Sequence, residues 1–386
     1  MTEPIPLSAP DITNSEIDAV VQVLRTPRLS LGPQMEAFEA AMATLTHVPH
    51  AIAVSSGTAG LHLALLALNI SPGDEVIVPS FTFIAVANAV RYVGANPVFA
   101  DIDPVTLNLD PASVEAALTP RTRALIVVHT FGRPADMRAF ADLARRHNLI
   151  LIEDACEALG ATIDNRPVGS FSDAAVFAFY PNKQITTGEG GMVVTRHLET
   201  ARRIRALRNH GRYESAPEES SPPDPSPVPF SETHSELGFN YRLSEIQCAL
   251  GLAQLSRLHA ILTRRDAVAR RYSELLAHAP GLILPATDVP GQRLSWFVFV
   301  VRLADRFTAA HRDRLRATLA DQSIATGRYF APIHLQPAYA AWREAAHLPV
   351  TEFIADRTLA LPFFNRITDE QLHRVVGELQ SALRAL

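Results

Sequence analysis

The sequence contains a single lysine, Lys183, in the stretch NKQITTGEGG. Of 35 lysine and arginine residues in total, the other 34 are arginine. Arginine stays protonated in proteins, but a desolvated lysine amine can lose its proton and condense with an aldehyde. In a chain that uses arginine at every other such position, Lys183 is therefore a candidate for Schiff-base chemistry. A loop lysine without a chemical role is the alternative, and the surrounding residues must decide between the two.

Pyridoxal phosphate (PLP) is an aldehyde cofactor that needs such an amine, and it also needs an acid, an anion site and a cover for its ring. Asp154 ends the run LILIED, at the carboxyl end of a predicted parallel strand, where α/β proteins bind ligands. A carboxylate there can keep the ring nitrogen protonated. An N-cap of a following helix is the alternative role for Asp154.

The anion site and the ring cover have candidates of the same kind. In SSGTAG, Gly57 allows close backbone approach, and the amides of Thr58 and Ala59 would point at a phosphate from a helix N-terminus. Phe83 in PSFTFIA follows another predicted strand and could cover the ring face. The alternatives are an ordinary helix cap for the first motif and core packing for Phe83.

The elements that must position these residues follow a regular order between residues 50 and 195. The runs HAIAVSS, DEVIVPS, NPVFADI, RALIVVH and LILIED are apolar nearly throughout, as in strands covered on both faces, and helix-like segments separate them. This alternation predicts an α/β fold with a mostly parallel central sheet and helices on both faces. The candidate residues then lie at strand carboxyl ends or, for Lys183, between the last two strands AAVFAFY and GMVVT. That coincidence favours the Schiff-base interpretation.

The rest of the chain predicts a second, smaller unit. The stretch 213–236 carries six prolines and is predicted to be a surface loop, either inert or a lid over a site. A long helical pattern starts at LSE, with a capping signal at Ser244, and leads to the strand-like SWFVFVVRL and a closing helix. We predict a large PLP-binding α/β domain over 1–256 and a smaller α+β domain over 257–386.

Composition limits the function classes. The net charge of −5 gives no reason to expect a nucleic-acid partner, and two cysteines imply no disulfide framework. The first residues lack the pattern of a secretory signal, and no apolar run is long enough to span a membrane. We expect a cytoplasmic protein without a membrane or metal partner.

Seven motifs in order resemble the DegT/DnrJ/EryC1/StrS family of sugar aminotransferases, which are PLP enzymes of fold type I, like aspartate aminotransferase. The resemblance covers nearly the whole chain and includes the N-terminal PDITNSEIDAVVQVL and LGPQMEAFEAAMA. The seven motifs are SSGTAGLHLAL, DEVIVPSFTFIA, VVHTFGRPADM, IEDACEALGA, KQITTGEGG, LRNHGR and GFNYRLSEIQCALG.

The resemblance implies roles residue by residue. Lys183 resembles the lysine that forms the internal aldimine with PLP and shuttles the proton, and Asp154 resembles the partner of the pyridine nitrogen. Glu157 stands where the family has Gln or Glu near the cofactor's 3-hydroxyl. Thr58 and Ala59 resemble the phosphate-binding pair, and Phe83 the stacking aromatic. Asn240 in GFNYR resembles an asparagine that reaches the phosphate of the neighbouring subunit, which implies a homodimer with shared active sites.

The chain departs from the family pattern at two places. Ala178 in FAF stands where the family usually has serine, so one phosphate contact is missing. RYFAPIH replaces the frequent HYPxPxH, with Arg328 in place of the first histidine and His334 at the last position. We expect Arg328 and His334 to line the substrate side, where an arginine could pair with a diphosphate or the donor carboxylate. A surface ion pair is the alternative for Arg328.

The function implied is transfer of an amino group from L-glutamate or glutamine to a keto sugar, most often nucleotide-linked, in two ping-pong half-reactions. A keto-cyclitol aminotransferase shares these motifs and stays an alternative. The family's sugar dehydratases carry histidine at the lysine position, so Lys183 argues against that branch. A non-catalytic PLP-binding sensor would not require Lys183, Asp154 and Thr58 together.

Overall fold

A mostly parallel sheet forms the centre of the large part of the chain. The computed structural model describes residues 3–213 and 234–386. Within these residues the strands are β1 (His50–Val54), β2 (Glu75–Pro79), β3 (Asn96–Ala100), β4 (Thr122–Val128), β5 (Ile150–Asp154), β6 (Thr162–Ile163), β7 (Arg166–Pro167), β8 (Ala174–Ala178), β9 (Gly191–Thr195), β10 (Leu282–Ile283), β11 (Gln292–Arg293), β12 (Phe299–Leu303) and β13 (Thr358–Leu361).

Helices connect the strands and also lie near both termini of the chain. They are α1 (Asn14–Leu24), α2 (Pro33–Thr46), α3 (Gly57–Ala67), α4 (Ala85–Tyr92), α5 (Pro111–Ala116), α6 (Met137–His147), α7 (Leu198–Arg208), α8 (Glu245–Ser256), α9 (Leu258–Leu276), α10 (Ala309–Asp321), α11 (Pro349–Ala355) and α12 (Asp369–Arg384). Short 3₁₀ turns occur at Thr130–Gly132, Ile333–Leu335 and Pro337–Trp342. None of the helices in the described ranges is both long and apolar enough to cross a bilayer.

The seven-stranded sheet has the order β1-β9-β8-β5-β4-β2-β3. The pairs formed by β3, β2, β4, β5 and β8 are parallel, whereas β9 runs antiparallel to both of its neighbours. Six strands therefore point the same way, and their carboxyl ends share one edge. The predicted mostly parallel α/β sheet is confirmed.

Alternate residues of each strand feed cores on opposite faces of the sheet. In β1, Ile52 and Val54 pack with α3, α4 and α7, whereas Ala51 and Ala53 pack with α2 and α8. Helices α5 and α6 cover the second face further along the sheet. This two-sided burial explains why the strands are mostly apolar on both faces, and the predicted helices on both faces are confirmed.

A separate core forms around the antiparallel sheet β10-β12-β13. Helices α9, α10 and α12 pack on it, and Ile5 from the start of the chain joins this core. The division at 256/257 stays a prediction. The predicted single long helix is interrupted at Arg257, where the backbone leaves the helical region between α8 and α9. Of the predicted loop 213–236, residues 214–233 lie outside the described part of the chain.

The Glu16 carboxylate on α1 is completely buried. It connects α1 to α8 and to Arg257, just after the end of α8. Its Oε2 accepts from the Thr13 amide at 2.7 Å, and its Oε1 accepts from Gln254 at 2.8 Å and Arg257 at 2.6 Å. Burial opposes ionisation, but these hydrogen bonds outweigh it and lower the pKa of Glu16 from 4.5 to about 2. The ionised carboxylate is therefore part of the native packing.

We expect acid to destabilise the protein through Glu16. A carboxylate with a lowered folded pKa stabilises the fold above its unfolded pKa, and this contribution is lost as the pH falls towards the folded pKa. The shift corresponds to about 3 kcal/mol at neutral pH, of which about 2 kcal/mol is lost between roughly pH 5 and pH 3. Urea unfolding should show a weaker pH dependence for Glu16→Gln than for wild type. Asp18→Asn, exposed on the same helix, is the control, and equal slopes for wild type and Glu16→Gln would contradict the assignment.

Candidate active site

The turn that carries Lys183 connects β8 and β9. The Lys183 amide donates to the Tyr180 carbonyl at 2.9 Å, and Thr187 N–H donates to the Phe179 carbonyl at 2.9 Å. Gly188 has a φ of 80°, a left-handed conformation that glycine adopts without strain, and its amide donates to Thr186 Oγ1 at 2.9 Å. The glycines and threonines after Lys183 thus form the turn that presents its amine.

Two groups flank the amine of Lys183, whose side chain is 13% exposed. Glu157 Oε1 lies 3.7 Å from Nζ, and the Phe297 ring centroid lies 3.9 Å from it. A cation over an aromatic face is stabilised by about 0.5–2 kcal/mol. Burial raises the pKa of Glu157, which the Lys183 ammonium opposes, and the Phe131 amide donates to Glu157 Oε2 at 2.8 Å. The amine thus has a carboxylate on one side and an apolar ring on another.

Asp154 ends β5 at the carboxyl edge of the sheet and is 7% exposed. Its Oδ1 accepts from the Cys156 amide at 3.0 Å. The chain from 155 to 161 forms turns, so no helix starts here and the N-cap alternative is wrong. The carboxylate lines a cavity that also contains Lys183.

The N-terminus of α3 forms another wall of this cavity, through Ser56, Gly57 and Thr58. Ser56 is the N-cap, and its Oγ accepts from the Ala59 amide at 3.0 Å. Ala59 is therefore not free to donate to an anion in this conformation, and it does not line the cavity. A Cβ at Gly57 would lie 2.8 Å from Ala178 Cβ and 2.9 Å from Cys156 Sγ, so only glycine fits here.

Phe83 follows β2 and lines the cavity with a 61% exposed side chain, whereas Phe81 two residues earlier is fully buried. The core-packing alternative therefore applies to Phe81 and not to Phe83. The cavity has a volume of about 500 Å³ and its walls also contain Glu157 and Ala178. An amine, a carboxylate, a helix N-terminus and an exposed aromatic ring, the four groups that PLP demands, are all found there.

The remaining predicted residues lie outside the lining of this cavity. Asn240 is exposed and pairs through its backbone with Asn209. Arg328 is exposed next to Tyr329, which does line the cavity, and its guanidinium has no partner among the described residues. The ion-pair alternative for Arg328 therefore finds no support within those residues.

His334 occupies a different environment from the one predicted. It is 1% exposed, with Nδ1 2.7 Å from Ser80 Oγ and Nε2 3.3 Å from Glu352. Burial lowers the pKa of His334. These contacts favour a packing role at the end of β2, and the prediction that His334 lines the substrate side has no cavity contact to support it.

From the sequence we expected the RYFAPIH segment on the substrate side through Arg328 and His334, but we missed the aromatic residues that form one wall of the cavity. Phe297, Tyr329 and Phe330 close the cavity from the C-terminal half of the chain. The aromatic residues in SWFVFVVRL and RYFAPIH are visible in the sequence, but strand-like runs usually place such rings in a core. Burial raises the pKa of Tyr329 here. Nothing in the spacing shows that these segments, more than 100 residues away, face Lys183.

Known proteins of one family share this fold and much of the sequence. The model of the DegT/DnrJ/EryC1/StrS aminotransferase family matches residues 10–380. The GDP-perosamine synthase of Caulobacter vibrioides is 40% identical over 381 residues, covering 98% of both chains. The crystal structure of S. venezuelae DesV in complex with a ketimine intermediate is 39% identical, with a TM-score of 0.86 and 98% of both chains covered. Helicobacter pylori PseC, an aminotransferase involved in the biosynthesis of pseudoaminic acid, has a TM-score of 0.91 at 26% identity over 100% of both chains.

The fold and these similar proteins define an aminotransferase of fold type I. Within that class, the chain belongs to the DegT/DnrJ/EryC1/StrS aminotransferase family. The family resemblance and the predicted enzyme class are confirmed.

Proposed function

We propose that this enzyme uses PLP to transfer an amino group from L-glutamate or glutamine to a keto sugar linked to a nucleotide. The observation that carries the proposal is the shared cavity of Lys183, Asp154, Thr58 and Phe83. The names of similar proteins support a sugar as acceptor, since one is a GDP-perosamine synthase, whose name also contains a nucleotide. A keto-cyclitol acceptor stays the alternative, because the residues around Lys183 serve the amine and not the acceptor.

Bound PLP supplies an aldehyde and an electron-withdrawing ring. In our proposal, Lys183 would hold the aldehyde through its amine, and Asp154 would keep the ring nitrogen protonated. Gly57 and Thr58 at the start of α3 would hold the phosphate, Glu157 would interact with the ring hydroxyl, and Phe83 would contact the ring. An Ala59 amide contact would require Ser56 Oγ to turn away.

The chain's own residues then perform the proton transfer. With PLP bound, the Lys183 amine would be the group that accepts a proton from the donor's α-carbon and gives it back. Glu157 at 3.7 Å and the Phe297 ring limit where that amine can move. The same groups act in the second half-reaction, in the reverse order, on the acceptor carbon.

We further propose a homodimer in which Asn240 completes the phosphate site of the neighbouring subunit. Its exposure, together with its absence from the cavity of its own chain, supports this role. Arg328, exposed next to the cavity residue Tyr329, would pair with a diphosphate or a donor carboxylate. If Arg328→Ala left the KM for both substrates unchanged, that assignment would be wrong.

The half-reaction with the donor tests the proposed function without knowledge of the sugar. L-Glutamate added to the PLP-loaded protein should convert the bound cofactor to pyridoxamine phosphate, with an absorbance change and one 2-oxoglutarate released per site. L-Glutamine in a parallel reaction decides between the two donors. A PLP-loaded protein that reacts with neither donor would fit a sensor and refute the proposal.

A further inference from the structure

Gln184, the residue after Lys183, is buried and touches two distant segments of the chain. It is 4% exposed, and its Nε2 lies 2.5 Å from the Glu157 carbonyl, 2.9 Å from the Ser295 carbonyl and 3.0 Å from Ser295 Oγ. One carboxamide therefore joins the turn after β8, the turn after β5 and the segment that leads into β12. These are the segments that carry Lys183, Glu157 and Phe297.

The three acceptors around this amide require a donor. Ser295 Oγ gives its own hydrogen to the Leu159 carbonyl at 2.6 Å, so it can only accept from Gln184. The NH₂ group of Gln184 has two hydrogens for three acceptor oxygen atoms, so one hydrogen is shared between two acceptors. A carboxylate at this position would face oxygen atoms alone, and an apolar side chain would leave buried acceptors unpaired.

The backbone segments at Glu157, at Gly132 and at Ser295 pack closely against each other next to Gln184. A Cβ on Gly132 would lie 1.7 Å from the Ser295 carbonyl oxygen and 2.9 Å from that of Glu157. The Gly132 carbonyl also accepts from the Ser295 amide at 2.9 Å. Gln184 connects these packed segments, at Glu157 and at Ser295, to the turn that carries Lys183.

We propose that Gln184 is a positioning residue that holds the Lys183 amine between the Glu157 carboxylate and the Phe297 ring. Both flanking groups belong to segments whose backbone oxygens Gln184 binds, at Glu157 itself and at Ser295, two residues before Phe297. Loss of the Gln184 amide would therefore remove hydrogen bonds that tie the Lys183 turn to the segments at Glu157 and at Ser295. The proposal rests on the proposed role of Lys183 as the reacting amine.

The single lysine permits a direct test in the full chain without cofactor. Protein labelled with ¹³C-lysine gives NMR cross-peaks from Lys183 alone, and in wild type the ε-methylene protons should be shifted upfield by the Phe297 ring. In Gln184→Met, which keeps the length but removes the donor, we expect these protons to move towards their position in the unfolded chain. In Gln184→Asn, whose side chain is shorter by one methylene, the chemical shift of these protons should lie between those of wild type and Gln184→Met.

Kinetics of the loaded enzyme provide the second measurement. We expect Gln184→Met to lower kcat by roughly 10–100-fold, because a displacement of about 1 Å can cost that much. The KM for L-glutamate should change by less than about threefold, since Gln184 contacts only the protein.

Gln254→Met is the matched control. Gln254 is 1% exposed and accepts from the Thr186 amide at 3.3 Å, so it anchors the same turn, but it bonds α1 and not the segments of Glu157 and Phe297. It should lower stability and leave the Lys183 cross-peak in place. A wild-type peak position in Gln184→Met, or an equal shift in Gln254→Met, would overturn the proposal. If the peaks shift as expected but wild type does not react with any amino donor, the proposed function fails instead.

Discussion

Replacement of Lys183 by alanine or arginine will abolish multiple turnovers, with an expected loss of roughly 1,000-fold or more, or about 4 kcal/mol of transition-state stabilisation. The chain has no second lysine whose side chain could take over. Arginine preserves the positive charge next to Glu157 but stays protonated and is not a nucleophile. The absorbance band of the lysine-linked cofactor should disappear in both variants. Steady-state assays and spectra of the PLP-loaded proteins measure these effects.

A small amine provides the control for structural damage. In Lys183→Ala the space next to the Phe297 ring is free, so ethylamine should enter it and restore part of the donor half-reaction. Lys183→Arg fills this space and should not respond. Turnover by either variant without added amine at a rate close to that of wild type would refute the proposed mechanism.

Much of the sheet side of the site could be predicted from the sequence. Asp154 ends a strand with mostly apolar residues, and Thr58 and Phe83 each come after one; such strands lie parallel between two helix layers. Their carboxyl ends must then meet at one edge, whatever the details of packing. The same local pattern predicted that Lys183 lies in a turn between β8 and β9. Periodicity and strand ends were therefore enough to assemble these groups.

The aromatic residues of the C-terminal wall could not be predicted from local patterns, because no such pattern encodes contacts between distant segments. The family resemblance alone indicated that RYFAPIH lies on the substrate side. The bond between Gln184 and Ser295 spans 111 residues, and Phe297, which contacts the Lys183 amine, lies two residues after Ser295. Arg265 on α9 illustrates this. It is 3% exposed and donates to the carbonyls of Trp296 and Phe297 at 2.6 and 2.8 Å, although the sequence shows it among many surface arginines.

Replacement of Asp154 by asparagine has the second largest expected effect, because it changes one charge and almost no volume. The asparagine Oδ1 can still accept from the Cys156 amide, so the turn after β5 should persist. An amide cannot balance the positive charge of a protonated ring nitrogen in a 7% exposed position, and PLP then withdraws electrons less strongly. We expect turnover to fall by roughly 100-fold or more, equivalent to about 3 kcal/mol. Rates of both half-reactions and the PLP affinity measure this change.

Asp173→Asn separates the ring-nitrogen role from a general loss of charge near β5. The Asp173 carboxylate accepts from the Leu151 amide at 2.9 Å, at the opposite end of the same strand, and does not line the cavity. We expect this variant to retain wild-type turnover and to lose only stability. If Asp154→Asn reacted with the amino donor at the rate of Asp173→Asn, the carboxylate would serve only the turn at Cys156, and the cofactor would have to be oriented differently in the cavity. A loss confined to Asp154→Asn, with unchanged unfolding, would place the ring nitrogen at the end of β5.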